Sequence, residues 1–216
     1  MNQAQRPRVL LADDHLLVAE ALKSMLASEF DLVGVVQDGR AMLEAVERLR
    51  PDVVVADVTM PHLNGIDALL RLRQDGNQVP VVFVTMHKDV SFARRALEAG
   101  AAGFVLKHSA SEELVTAIRA ALEGGTYLTP LLAGEVLASM QREPAQAEDP
   151  VARLTPRQRE VLHLLTEGRS AKEIAASLAI SPRTVEYHKY QMMETLGLHT
   201  NAELIHFAIK HGLVEL

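Results

Sequence analysis

The sequence predicts an α/β chain: a doubly wound parallel sheet followed by a second, small all-α domain. Three observations carry this prediction. Short apolar, β-branched runs alternate with amphipathic helical stripes up to about residue 124, four of those runs stop abruptly on polar side chains, and beyond Leu154 only helical periodicity and helix-cap signals remain.

Arg8–Ala12 is the first strand, and Val18, Leu22, Met25 and Leu26 then recur at the spacing of one helix face. Asp31–Val36 is a second strand, closed by Asp38-Gly39. Met42, Ala45, Val46 and Leu49 form the next stripe, which Pro51 stops. The strand Val53–Ala56 follows, broken from its helix (Ile66, Leu69, Leu70) by Pro61 and Gly65. Val81–Thr85 is the fourth strand, with Val90, Ala93 and Leu97 on the helix after it, and Gly103–Leu106 is the fifth. Leu114, Ala117, Ile118, Ala121 and Leu122 make the closing stripe, with Ser111 expected as its cap. Five βα units imply a flavodoxin-like sheet of order 2-1-3-4-5, in which the first and third strands are neighbours at the switch point. This domain is assigned to residues 6–124, ending at Gly124-Gly125. Residues 125–150 read as a linker with a helix (Leu131, Leu132, Val136, Leu137, Met140) and a polar, proline-bounded tail from Glu143 to Pro150. Residues 151–216 form the second domain.

The strand ends carry the chemistry. Alone, Asp57 reads as a turn or cap residue. The first strand, however, ends on Asp13 and Asp14, the third on Asp57, the fourth on Thr85 and the fifth on Lys107, all at the edge where open sheets bind ligands. Carboxylates this close repel one another unless a cation is held among them, and Mg²⁺ suits carboxylates, waters and phosphate oxygens. Asp57 is then a nucleophile able to accept a phosphoryl group, with Lys107 neutralising charge and the Thr85 hydroxyl donating to a phosphate oxygen. No separate general acid or base stands out, because His15, His62, His87 and His108 lie on scattered loops with no fixed pairing.

The chain of 216 residues has 48% hydrophobic and 23% charged residues, which describes an ordinary globular protein. It has no cysteine, which excludes disulfides and thiolate metal sites, and no apolar run approaches a membrane span. A polar N-terminus adds to the expectation of a cytoplasmic protein. The net charge of −6 is uneven: residues 1–150 carry 14 Lys/Arg against 21 Asp/Glu, residues 151–216 carry 8 against 7. The second domain is faintly basic, which favours dimerisation as an aid to any nucleic-acid affinity.

In that domain Thr155-Pro156, Ser170 with Glu173, and Ser181-Pro182 read as helix starts. Two helices joined by a short turn, the second from Ser181 to about Leu196, describe a helix-turn-helix. Val185, His188, Met192 and Leu196 share its inner arc, with His188 read as a packed histidine. Arg183, Tyr187, Tyr190, Gln191 and Glu194 share the outer one. Arg183, Thr184 and Lys189 suit phosphates, while Tyr187, Tyr190 and Gln191, with Glu186 at the edge, suit base edges.

Asp13-Asp14, Asp57 with Met60-Pro61 and Gly65, Thr85, and Gly100 through Lys107 closely resemble the receiver domain of two-component response regulators. The resemblance implies Mg²⁺ held by Asp14 and Asp57, by Asp13 through water and by the backbone carbonyl of Thr59. It also implies a switch formed by Thr85 and Phe104, and a histidine kinase as phosphodonor. His108 replaces a proline that many receivers carry in cis. Leu154 through Arg157, Glu160 through Leu162, Gly168, Lys172 through Ala175, Leu178, Ser181 through Val185, His188 and Leu196-Gly197 resemble the LuxR-type helix-turn-helix. The whole chain is therefore similar to NarL/FixJ-type response regulators. That similarity implies a homodimer on an inverted-repeat operator in double-stranded DNA, with Lys172 added to the contact residues. It implies no enzymatic role beyond aspartyl-phosphate transfer and self-dephosphorylation. Gln158, Ala171, Thr195 and Asn201 replace a glutamate, an asparagine, a lysine and an arginine common in that family, which bears on DNA affinity rather than on fold. The alternative is a protein-interaction regulator that keeps the helix-turn-helix without strong DNA binding.

Overall fold

The computed structural model describes residues 6–86, 88, 90–141, 151, 153–211 and 213. It divides into two compact units, Met1–Arg142 and Glu143–Leu216. The expected linker tail from Glu143 to Pro150 lies outside the described residues, as does His87. Among the described residues, no helix is long and apolar enough to cross a membrane.

The first unit is built on one sheet of order β2-β1-β3-β4-β5-β6, every neighbouring pair parallel. Its strands are β1 (Arg8–Ala12), β2 (Asp31–Val36), β3 (Val53–Ala56), β4 (Val81–Thr85), β5 (Gly103–Leu106) and β6 (Tyr127–Leu128). The period of two explains why β1 after Arg8, β3, β4 up to Thr85, and β5 are continuous apolar runs. Leu10, Ala12, Val54 and Ala56 enter one core while Val9, Leu11, Val53 and Val55 enter the other, so neither face meets water. The first core lies under α2 (Gly39–Leu49), α3 (Gly65–Gln74) and α4 (Val90–Glu98). The second lies under α1 (Leu16–Leu26) and α5 (Ala110–Leu122). Edge strand β2 is only partly buried, as its charged start requires.

Two expectations change. The sheet does not end with the fifth strand, because β6 pairs with β5 through Gly103 and Phe104. Two residues are too few to show strand periodicity, so the sequence reads them as linker. The helix expected in the linker is α6 (Pro130–Gln141), which packs on α4 with Leu132 and Val136 in the first core. Ser111 is not the cap of α5. A 3-10 turn, Lys107–Ser109, runs straight into the helix, which starts at Ala110 with Ser109 in the cap position and no side-chain hydrogen bond there.

Among the described residues the second unit is four helices around Leu154, Val161, Leu162, Ile174, Leu178, Val185, Met192, Leu204 and Ala208: α7 (Pro156–Thr166), α8 (Ala171–Leu178), α9 (Pro182–Leu196) and α10 (Asn201–Lys210). Each start is fixed by a hydroxyl accepting from its helix's third amide. Thr155 with Gln158, Ser170 with Glu173 and Thr200 with Glu203 close full capping boxes. Gln158 thus serves the cap that a glutamate would serve.

Candidate functional site

The β1–β3 register pairs Ala12 with Ala56, and the ladder runs one step further as Asp57 N–H donates to the Ala12 carbonyl at 2.8 Å. Asp13 and Asp57 are therefore brought side by side at the strand ends, 1% and 2% exposed. Lys107, the first residue after β5, reaches both: its Nζ is 2.5 Å from Asp57 Oδ2 and 2.9 Å from Asp13 Oδ2. Asp14 and His15 complete the cluster. One oxygen or ring nitrogen from each of Asp13, Asp14, His15 and Asp57 lies within 4.8 Å of the others.

Glycine sets the floor. A Cβ at Gly65 would stand 2.2 Å from the Asp57 carbonyl oxygen and 2.8 Å from Phe83, so only glycine lets α3 begin this close behind Asp57. Asn64 caps that helix, accepting from Asp67 N–H, and His62 adopts a left-handed backbone in the turn between. Thr59, buried, donates its N–H to Asp57 Oδ1 at 3.4 Å.

The donor set suits a hard divalent cation. Asp14 has a side chain 32% exposed, yet its Oδ1 is buried without a hydrogen-bond partner. His15 Nδ1 lies 3.1 Å away without completing a hydrogen bond, so the oxygen is desolvated and its lone pairs suit a cation. His15, which the sequence leaves among scattered histidines, belongs here because its backbone N–H also donates to Asp13 Oδ1 at 2.9 Å.

Burial is the first influence on Asp57, pushing its pKa up to about 6. Lys107 pulls it down by charge and hydrogen bond, the Asp13 charge pushes it up again, and the Thr59 amide lowers it slightly. Burial likewise works to lower the Lys107 ammonium, but Asp57 and Asp13 outweigh it and hold it above the usual lysine value. The two partners thus point differently: the pairing satisfies the amine but leaves the carboxylate under-compensated. Asp57 is the more enclosed of the two.

Thr85 ends β4 opposite Leu106 and is fully buried, as is Phe104 of β5, which packs in the core that holds Phe92, Ala93 and Ala96 of α4 and Leu132 and Val136 of α6. Among the described residues no peptide bond is cis, so the chain passes through His108 in trans.

On α9, Val185 and Met192 are buried while Tyr187 and Tyr190 are 60% and 67% exposed. Arg183 is exposed, and so is Lys172 on α8. Other members of this face are already engaged with neighbours. Lys189 Nζ is 2.6 Å from Glu186 Oε2, Gln191 donates to Glu194 at 3.3 Å, and the Thr184 hydroxyl lies 2.8 Å from that of Ser181. His188 is partly buried, and burial, with the Arg157 charge, lowers its pKa.

Comparison with known proteins agrees with both units. Residues 9–119 match the response regulator receiver domain, and residues 152–208 match the LuxR family of bacterial regulatory proteins. The chain is 37% identical to the transcriptional regulatory protein MctR of Rhizobium johnstonii, over 99% of this chain and 98% of that one. It is 34% identical to the response regulator UvrY of Escherichia coli K12, over 95% and 94%. Among solved structures, RcsB of Salmonella typhimurium, described for conformational dynamism in DNA interaction, is 25% identical with a TM-score of 0.66, covering 96% of this chain and 98% of that one.

The raised pKa of Asp57 yields a signed prediction. A carboxylate whose folded pKa lies above its unfolded value costs stability once pH rises past the unfolded value near 4, and the full cost is present above pH 6. Asp57→Asn removes that cost. Thermal melts in chelator are expected to show the variant melting a few degrees above wild type at pH 7.5, with the gain shrinking toward pH 5. An equal or lower melting temperature at pH 7.5 contradicts the assignment.

Proposed function

The chain belongs to the two-component response regulators that carry a LuxR-type DNA-binding domain behind a receiver domain, and on that premise we propose that it is switched by phosphorylation of Asp57. The observation that carries the reading is Lys107 Nζ lying against both Asp57 and Asp13, beside a buried oxygen of Asp14 that has no hydrogen-bond partner.

In the proposed reaction an Asp57 carboxylate oxygen forms a bond to phosphorus as the bond from phosphorus to the imidazole nitrogen of a kinase phosphohistidine breaks. The nitrogen leaves with the electron pair. Asp13, Asp14, Asp57 and the Thr59 carbonyl would hold Mg²⁺, which neutralises charge on the transferring group. Lys107 gives a second positive charge at the same place, already directed at the nucleophile. Low solvent access around Asp57 strengthens both effects and limits hydrolysis of the product.

Phosphorylation exchanges the single negative charge of the Asp57 carboxylate for the roughly −1.5 to −2 of a phosphoryl group at pH 7, at a buried site. Thr85 follows the new phosphate with its hydroxyl, and Phe104 changes position in the space this opens. The burial of Phe104 in one core with α4 and α6 supports a relay into those helices. The output is homodimerisation on an inverted-repeat operator. Arg183, Thr184, Lys189 and Lys172 grip phosphates, and Tyr187, Tyr190, Gln191 and Glu186 face the bases. The Glu186–Lys189 pair must open or turn for Lys189 to reach a phosphate. That pair and the near-neutral charge favour, as a second reading, a regulator acting mainly through protein contacts. DNA affinity that does not fall with salt supports the second reading, because phosphate contacts release counterions.

Two experiments test the main proposal. Incubation with acetyl phosphate and Mg²⁺ is expected to place one labile phosphoryl group on the wild-type protein and none on Asp57→Asn. Retention of the label by the variant assigns the acceptor elsewhere. Tyr187→Ala is expected to weaken binding to a selected operator about tenfold while changing affinity for random DNA less than twofold. Equal losses on both assign Tyr187 to the backbone.

A further inference from the structure

Thr129 precedes Pro130, the first residue of α6, as Thr155 precedes Pro156, the first residue of α7. The hydroxyls that cap α7, α8, α9 and α10 each accept from their own helix. The Thr129 hydroxyl is used differently. Its Oγ1 accepts from the Leu106 amide at 3.2 Å and donates to Glu113 Oε2 of α5 at 2.7 Å. The Thr129 backbone N–H donates to the Phe104 carbonyl at 3.0 Å, and Thr129 is 1% exposed. One buried residue therefore holds the end of β5 at two points, on either side of Val105 and just before Lys107.

We propose that Thr129 is a positioning residue for the phosphoacceptor site: by fixing the backbone at Phe104 and Leu106 it sets the reach of Lys107 to Asp57. The same contacts tie that reach to the segment opening α6. A fixed backbone matters here because Lys107 must span from the strand end to two carboxylates at once, and small misplacements of a charge-neutralising group cost large factors in rate. The orienting link is Glu113, which fixes the hydroxyl's proton and leaves its lone pair for the Leu106 amide. Phosphorylation, in drawing Lys107 toward a new phosphate, pulls on Leu106 and so on Thr129 and the start of α6.

This inference rests on Asp57 being the phosphoacceptor, and its test separates the two claims. In the full-length chain, Thr129→Val is expected to slow phosphoryl uptake from saturating acetyl phosphate with Mg²⁺ about tenfold, while Thr129→Ser, which keeps the hydroxyl, stays within twofold of wild type. A merely structural role lowers the melting temperature of the valine variant without changing the rate well below that temperature. A folded Thr129→Val with a wild-type rate overturns the proposal, as does a Thr129→Ser as slow as the valine. Should Thr129→Val not fold, Glu113→Ala decides: a slowed rate supports the proposal and an unchanged one overturns it. If wild type itself takes up no phosphoryl group, the Asp57 reading fails. A crystal structure of Thr129→Val then decides for Thr129: displacement of Lys107 Nζ from Asp57 supports it, and an unmoved amine overturns it.

Discussion

One ammonium between two buried carboxylates is the interaction on which the rest of this molecule depends. Lys107 touches Asp57 and Asp13 at a sheet end where water is scarce, so attraction is strong and so is the penalty for any charge left over. The site carries more negative than positive groups. Burial is why Asp57 is held near 6 rather than in the usual carboxylate range, with the Asp13 charge pushing the same way against the pull of Lys107. A regulatory site needs such tension: a fully neutralised cluster would have no reason to respond to another negative group.

The fold's contribution is to make this cluster unavoidable. Parallel strands with both faces buried must send their polar termini out of the same edge, and the register of β1 on β3 puts Asp13 beside Asp57 before any side chain has chosen a rotamer. Gly65 brings α3 up behind Asp57, and β6 with Thr129 braces β5 on the other side. The first core lies under α2, α3, α4 and α6, with Phe104 among its side chains, so a change at the strand ends bears on packed helices and not on a solvated loop.

What the sequence makes legible follows from physics that repeats. β1, β3, β4 and β5 and their polar ends are readable because buried strands are continuous apolar runs, and Thr155, Ser170 and Ser181 are readable because caps have fixed chemistry. Features without a period are not. β6 is two residues long, the 3-10 turn after Lys107 displaces the expected cap at Ser111, and the place of His15 in the acidic cluster depends on a turn geometry that spacing does not report. Gly65 reads as a chain breaker, whereas its larger part is steric, and Thr129 reads as linker because its partners, Leu106 and Glu113, lie 23 and 16 residues away. On α9 the outer face is legible from the helix wheel, but the pairing of Lys189 with Glu186 is a choice of rotamers.

The central claim is that Asp13, Asp14 and Asp57 act as one electrostatic site. Calorimetric titration of the full-length protein with Mg²⁺ at pH 7.5 tests it most directly. One saturable site is expected in wild type, with at least a tenfold loss of affinity in Asp14→Asn, which neutralises the carboxylate whose Oδ1 is buried without a hydrogen bond. Equal binding by both proteins, or no binding by either, would contradict it.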